Sequence, residues 1–169
     1  MALLEILEYP HPILSSKAEP VAVVDDEIRK LADDMAETMY DAPGVGLAAN
    51  QVGVLKRIFV IDVAGEDEPS QLMTFINPEI LELTGTQTWN EGCLSFPGAV
   101  ADIQRAEHVK VRALNSKGEP FELAADGLLA VAIQHENDHL NGVLMIDKVG
   151  PIKRRKIAAQ VREAQTERD

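Results

Sequence analysis

The sequence predicts an α+β fold: small, mainly antiparallel sheets packed around a central buried helix that carries an HExxH pattern, with a further helix at the C-terminal end. Three observations predict it. The β-like runs are short and joined by turns, one helical stretch is apolar nearly all round, and the last periodic stretch opens on a proline.

Taken in order, Asp25 to Tyr40 reads as a helix, with Asp25 or Asp26 as cap and Ile28, Leu31, Met35 and Met39 on one face. The DAPGVG segment that follows forces a loop through Pro43, Gly44 and Gly46. Short β-like runs come next at Ile58 to Val63, Thr74 to Asn77 (stopped by Pro78) and Ile80 to Leu83. His108 to Leu114 alternates through Val109 and Val111, and a turn at Asn115 to Gly118 leads into Pro120 to Leu123. Runs joined by turns pair antiparallel. Asp126 to Leu140 is capped by Asp126, apolar through Leu128, Leu129, Val131, Ala132 and Ile133, and closed by Asn141-Gly142. A helix apolar on every side sits inside a domain. The final helix starts at Pro151 and runs through Val161.

With 169 residues and 46% hydrophobic composition, the chain reads as a single domain over 1–169, without repeats or linkers. No apolar run reaches the roughly 18 residues of a membrane span, so no membrane role is expected. The start, MALLEILEYPHP, carries Glu5 and Glu8 without a basic lead and reads as folded chain rather than a signal peptide. A single cysteine excludes an internal disulfide and points to a reducing cytoplasm. The net charge of −12 argues against DNA or any nucleic acid backbone as a general partner. Lys148 to Asp169 nevertheless holds seven basic and three acidic residues, +4, which leaves −16 on the remainder. That tail reads first as a solvated helix face; contact with an anionic partner is the sharper alternative.

The chemistry concentrates in His135-Glu136-Asn137-Asp138-His139. Histidines four apart lie on one helix face and can share a metal. Glu136 stands about 100° around from His135, so it leans over the metal without ligating it. Two imidazoles and two carboxylates left unpaired in so apolar a helix would be costly.

Catalytic sites of this kind want a third protein ligand and one open position. Met145 stands where one metalloprotease pattern wants its last histidine, and a thioether suits a hard hydrolytic metal poorly. Glu163 is the candidate if the chain is a zinc endopeptidase. The other candidate is Cys93, in the polar, glycine-flanked EGCLS segment, where a metal would hold the thiolate. A closed structural site would need a fourth ligand, and His11 and His108 sit in no metal spacing.

Three segments together, GVGLAANQVG at 44–53, EGCLSFPG at 91–98 and QHENDHLNG at 134–142, resemble the peptide deformylase family, and the likeness extends from about Tyr9 to the tail. The resemblance implies a hydrolase that removes the formyl group from N-formylmethionyl peptides as new bacterial proteins are made. It implies Cys93, His135 and His139 as ligands of one divalent metal, iron(II) in the cell, with zinc, nickel or cobalt able to occupy the same donors. Glu136 then corresponds to the acid/base. Gln51, through its amide, and Leu94, through its backbone N–H, correspond to the oxyanion donors. Gly44, Val45 and Gly46 resemble the strand-like loop that pairs with the substrate backbone. Glu91, Ser95, Arg105 and Gln134 resemble supporting residues around the ligands. Val100 departs from members with an arginine there, which bears on recognition beyond the first methionine. Leu128, Val131 and Ala132 share the face of His135 and are expected to wall an apolar pocket for a methionine side chain. Because the family acts on chains leaving the ribosome, the resemblance offers ribosomal RNA, in a weak contact, as the anionic partner in that sharper alternative.

Overall fold

The computed structural model describes residues 2–65 and 67–168. Five strands form one antiparallel sheet: β1 (Gly46–Ala48), β2 (Ile58–Ile61), β3 (Met73–Thr84), β6 (His108–Leu114) and β7 (Pro120–Asp126), in the order β1-β2-β3-β6-β7. Two more, β4 (Gln87–Gly92) and β5 (Val100–Arg105), make a separate antiparallel hairpin. Three α-helices pack on these: α1 (Asp26–Asp41), α2 (Gly127–Leu140) and α3 (Pro151–Arg168).

Strand β2 explains the layering. All four of its residues are buried, with Ile58 and Val60 packing toward α1 and Phe59 and Ile61 toward α2. A strand covered on both faces reads as a continuous apolar run rather than an alternation. Phe59 stacks on its cross-strand partner Phe75 at 4.7 Å, and Ala130 and Ile133 of α2 close the same cluster. Fully burying a side chain such as Ile133 stabilises by about 1.5–3 kcal/mol. Strand β6, with one covered face, alternates instead: Val109, Val111 and Ala113 inward, His108, Lys110 and Arg112 outward. A third cluster, with Phe96, Ile103, Ile146, Ile157 and Val161, joins the hairpin to α3.

Helix α1 is capped as its sequence suggests, the Asp25 carboxylate accepting from the Ile28 N–H at 3.0 Å. Helix α2 has no fully exposed residue over its length, in keeping with its apolar composition. Asp126 does stand at its cap position, but its side chain makes no capping bond. The turn from β7 into α2 is made by Gly127 at φ +56°.

Several boundaries differ from the sequence reading. The two runs expected on either side of Pro78 are one strand, β3, because the break is absorbed as register shifts between Ile76 and Glu79 and again between Ile80 and Glu82. Asn77 takes φ +52° there, and its side chain bonds both the N–H and the C=O of Val21. Strand β2 ends at Ile61 rather than Val63, β7 continues to Asp126, and α3 extends past Val161 to Arg168. The hairpin was not legible as strands: Thr88, Trp89 and Asn90 of β4 are exposed, and the buried positions include the charged Glu91 and Arg105, which break a hydrophobic alternation. Among the described residues no helix is long and apolar enough to cross a membrane.

Candidate active site

Helix α2 brings His135 and His139 to one face, with their rings edge to face and centroids 4.9 Å apart. Their Nε2 atoms lie 3.3 Å apart, and Cys93 Sγ is 3.4 Å from His139 Nε2. Among the described residues, this is the one group of three such donors whose ligating atoms all lie within 4.8 Å of one another. Donors bound tetrahedrally at about 2.0–2.3 Å stand roughly 3.3–3.7 Å from each other, so the two closer separations suit a shared cation. The chemistry of the set fits as well, since borderline metals take imidazole nitrogen together with thiolate sulfur. Glu163, the alternative third ligand, is exposed on α3 and does not belong to this group.

Behind His135 stands a chain of ion pairs. Its Nδ1 is 2.8 Å from Glu91 Oε1, which leaves Nε2 for the cation side. Arg105 grips Glu91 with two bonds, Nε to Oε2 at 2.7 Å and Nη2 to Oε1 at 2.8 Å, and donates through Nη1 to Asp138 at 2.5 Å. Lys148 Nζ lies 3.6 Å from the same Asp138 oxygen. Burial alone would push the Glu91 pKa up, but the Arg105 and His135 hydrogen bonds outweigh it and hold Glu91 at about 2.

The neighbouring carboxylate behaves in the opposite way. Burial pushes Glu136 up to about 7, and Glu91 and Asp138 add to the shift, against the opposing charges of His135 and Arg105. Burial would likewise lower both histidines. His135 is nevertheless raised, because the charges of Cys93 and Glu136 and its bonds to Cys93 and Glu91 favour its proton. His139 has no such help and is lowered by burial and by the His135 and Arg105 charges.

Gln51 and Ser95 complete the inner wall. The Gln51 Oε1 accepts from the Ala48 N–H at 2.9 Å, which turns Nε2 toward Ser95 Oγ at 3.0 Å and Cys93 Sγ at 3.6 Å. The N-terminal segment straps both loops, Leu7 N–H donating to Gln51 C=O and Tyr9 N–H to Ser95 C=O. Leu94 follows Cys93 in a turn closed by the Phe96 N–H on the Cys93 carbonyl.

Of these residues, Gln51, Glu91, Cys93, Leu94, His135 and Glu136 line a cavity of about 370 Å³, whereas His139, Ser95 and Arg105 stand behind its wall. Gly44, Val45 and Gly46 line it as well, together with Leu128, Val131 and Ala132 from α2, and Gly44 stands against the Leu94 side chain. Val100 lies just outside, half-exposed and packed against Gly92. Gln134 stands apart from the donors: its amide bonds the N–H and C=O of Ala106, so it fastens the corner between β5 and β6 to α2. Trp89, Pro43 and Asn90 also line the cavity. Sequence reasoning passed over them, although the lone tryptophan stands only two residues before EGCLS.

The sequence model of the polypeptide deformylase family matches residues 3–155. The chain belongs to the peptide deformylase family. It is 54% identical to peptide deformylase 1 of Ralstonia nicotianae over 169 residues, spanning 99% of each chain. It is 55% identical over 157 residues to the peptide deformylase of Alkalilimnicola ehrlichii, covering 93% of this chain and 88% of that one. The crystal structure of a peptide deformylase from Legionella pneumophila superposes with a TM-score of 0.93 at 42% identity, over 98% of this chain and 97% of that one. The Ehrlichia chaffeensis peptide deformylase in complex with actinonin gives 0.91 at 40% identity, over 96% and 98% of the two chains. The α+β architecture expected from the sequence is therefore that of the peptide deformylase fold.

Proposed function

We propose that this chain is a metal-dependent peptide deformylase that hydrolyses the formyl amide of N-terminal N-formylmethionine, yielding formate and a free amino terminus. The observation that carries the reading is the Cys93–His135–His139 donor set, two of whose members, Cys93 and His135, line one cavity together with the buried Glu136. A divalent cation bound by those donors supplies Lewis acidity and brings the pKa of a coordinated water toward neutrality.

This chain's own residues supply the rest. Glu136 takes the proton of the attacking water and returns it to the leaving amine nitrogen, a role that its buried carboxyl, lining the cavity beside His135, supports. The Gln51 amide and the Leu94 backbone N–H donate to the formyl oxygen as charge gathers there, and one such donor is worth about 2.7–4 kcal/mol of barrier. Gln51 is held for this by its bond to Ala48. Gly44, Val45 and Gly46 lie at the edge of the five-stranded sheet, where a peptide can add as a further strand. Leu128, Val131 and Ala132 offer an apolar wall for the methionine side chain. Glu91, Arg105 and Ser95 hold His135 and Gln51 in place.

The reading extends to the setting. The resident cation in the cell is iron(II), with zinc, nickel or cobalt fitting the same donors. The protein works in the cytoplasm, where a reducing environment suits a cysteine ligand. Residues 1–169 act as one catalytic domain, and the basic face of α3 meets the ribosome.

The test is turnover of N-formyl-Met-Ala-Ser by the nickel-loaded or anaerobic iron(II)-loaded protein, with N-acetyl-Met-Ala-Ser as control. Amine and formate should appear in equal amounts from the formyl peptide alone. Glu136→Ala should keep its metal and lose at least about a hundredfold in turnover. No release by a metal-loaded protein, or near-normal turnover by the variant, would overturn the assignment.

A further inference from the structure

Gly46 sits inside β1, opposite Ile61 in a regular antiparallel ladder, and its φ lies outside the left-handed region. A glycine within a strand costs about 0.5–1 kcal/mol relative to alanine, so a position with ordinary backbone geometry needs another reason for one. A Cβ built on Gly46 would stand 2.6 Å from Glu136 Oε2, 3.0 Å from its Cδ and 3.0 Å from its Cγ. All three atoms belong to one flexible side chain, so an added methyl group would displace the Glu136 carboxylate from its place. The backbone of β1 is tied down beside it. Next to Gly46, the Val45 carbonyl accepts from the Asp62 N–H at 2.8 Å, and Leu47 and Ala48 are fully buried. On the other side Glu136 belongs to α2, none of whose residues is fully exposed.

We infer that Gly46 is a positioning residue: its missing side chain is the seat on which the Glu136 carboxylate rests, and so fixes where that carboxylate stands in the cavity. The inference rests on Glu136 being the proton carrier proposed above. The competing account is that glycine is needed only so that substrate backbone can approach β1. The two accounts differ in what an added methyl group does, because the seat is crowded whether or not substrate is bound.

The experiment uses nickel-loaded, full-length protein in four forms: unaltered, Gly46→Ala, Glu136→Ala, and the double variant. Metal content, Tm, kcat and KM are measured. Gly46→Ala should keep its nickel, hold KM within about twofold and lose about a hundredfold in kcat, the scale expected when a reacting group is misplaced by about 1 Å. It should lower Tm when Glu136 is present and leave Tm unchanged when residue 136 is alanine. A rise in KM with kcat unchanged would assign the glycine to substrate approach and overturn the inference. Equal Tm losses in both backgrounds would also overturn it, because the methyl group would then be striking something else. If Gly46→Ala fails to fold, recovery of folding in the double variant supports the seat, and failure there too overturns it. Absence of deformylation in the unaltered protein would sink the functional reading, whereas the Tm comparison would still decide the seat.

Discussion

Glu91 keeps its charge inside the protein because Arg105 and His135 both bond it. Its folded pKa of about 2 lies below the ordinary 4.5. The stabilisation it gives is therefore complete above the ordinary value and is lost as pH falls through about 2, within a window of about pH 5 to 2. Glu91→Gln would remove the carboxylate and leave Arg105 with Asp138 as its remaining ion-pair partner. Breaking a buried pair from one side should cost about 3 kcal/mol in urea denaturation at pH 7, with the gap to the unaltered protein narrowing toward pH 2. A metal titration should show affinity lower by about 10–100-fold, because His135 loses the group that orients it. Equal stability and affinity in the two proteins would remove Glu91 from this role. At this scale the sequence was legible where a residue type has few cheap uses. Two histidines one turn apart in an apolar helix, and a lone cysteine between glycine and leucine, stood out. What Gln134 holds was not legible, because its side chain turns to the backbone of Ala106, a contact that no spacing reveals. Trp89 was missed because an indole in a polar run carries no ligand or acid/base signal.

Helix α2 was the most legible element, since its composition alone implies burial and Asn141-Gly142 marks its end. The hairpin of β4 and β5 was invisible because its inner face is built partly from the Glu91–Arg105 pair, and strand reading depends on apolar alternation. Strand β3 was split in two because a proline usually ends a run, whereas here a bulge accommodates it. The end of α2 also gives a prediction. Gly142 takes φ +74°, and a Cβ there would meet the Ser15 carbonyl oxygen at 2.6 Å and its carbon at 2.8 Å. Left-handed backbone alone costs a non-glycine residue roughly 1–2 kcal/mol, and the obstacle here is backbone rather than a flexible side chain. Gly142→Ala should thus destabilise by about 2 kcal/mol or more in chemical denaturation, with weaker metal binding because His139 lies in the last turn of the helix. An unchanged denaturation midpoint would show that the chain after α2 yields more readily than this packing implies.

Across the whole molecule, charge and packing divide α3 between two tasks. Ile157 and Val161 are buried, Gly98 lies against Ala164 and Gln160, and Gln165 and Arg168 bond Tyr9 and Glu8. Its first turns, with Lys153, Arg154, Arg155 and Lys156, stay exposed. Replacing those four with glutamine should lower ribosome affinity at least about tenfold at low salt and flatten its salt dependence, while Tm barely moves. Unchanged affinity and slope would end the idea of a ribosome contact there. The α+β class could be read from the pattern of short runs and one buried helix. The three-layer order, with α1 and α2 on opposite faces of the sheet, could not, because it depends on which faces of β2 meet which helix. The donor set has a consequence for the chain as a polymer. Cys93 and His139 stand 46 residues apart in sequence yet 3.4 Å apart in space. An ion gripping both would act as a reversible cross-link, closing a long loop and reducing the freedom of any unfolded chain that kept hold of it. Loading the site would then tune resistance to unfolding as well as chemistry, and the fold would register how much free cation surrounds it.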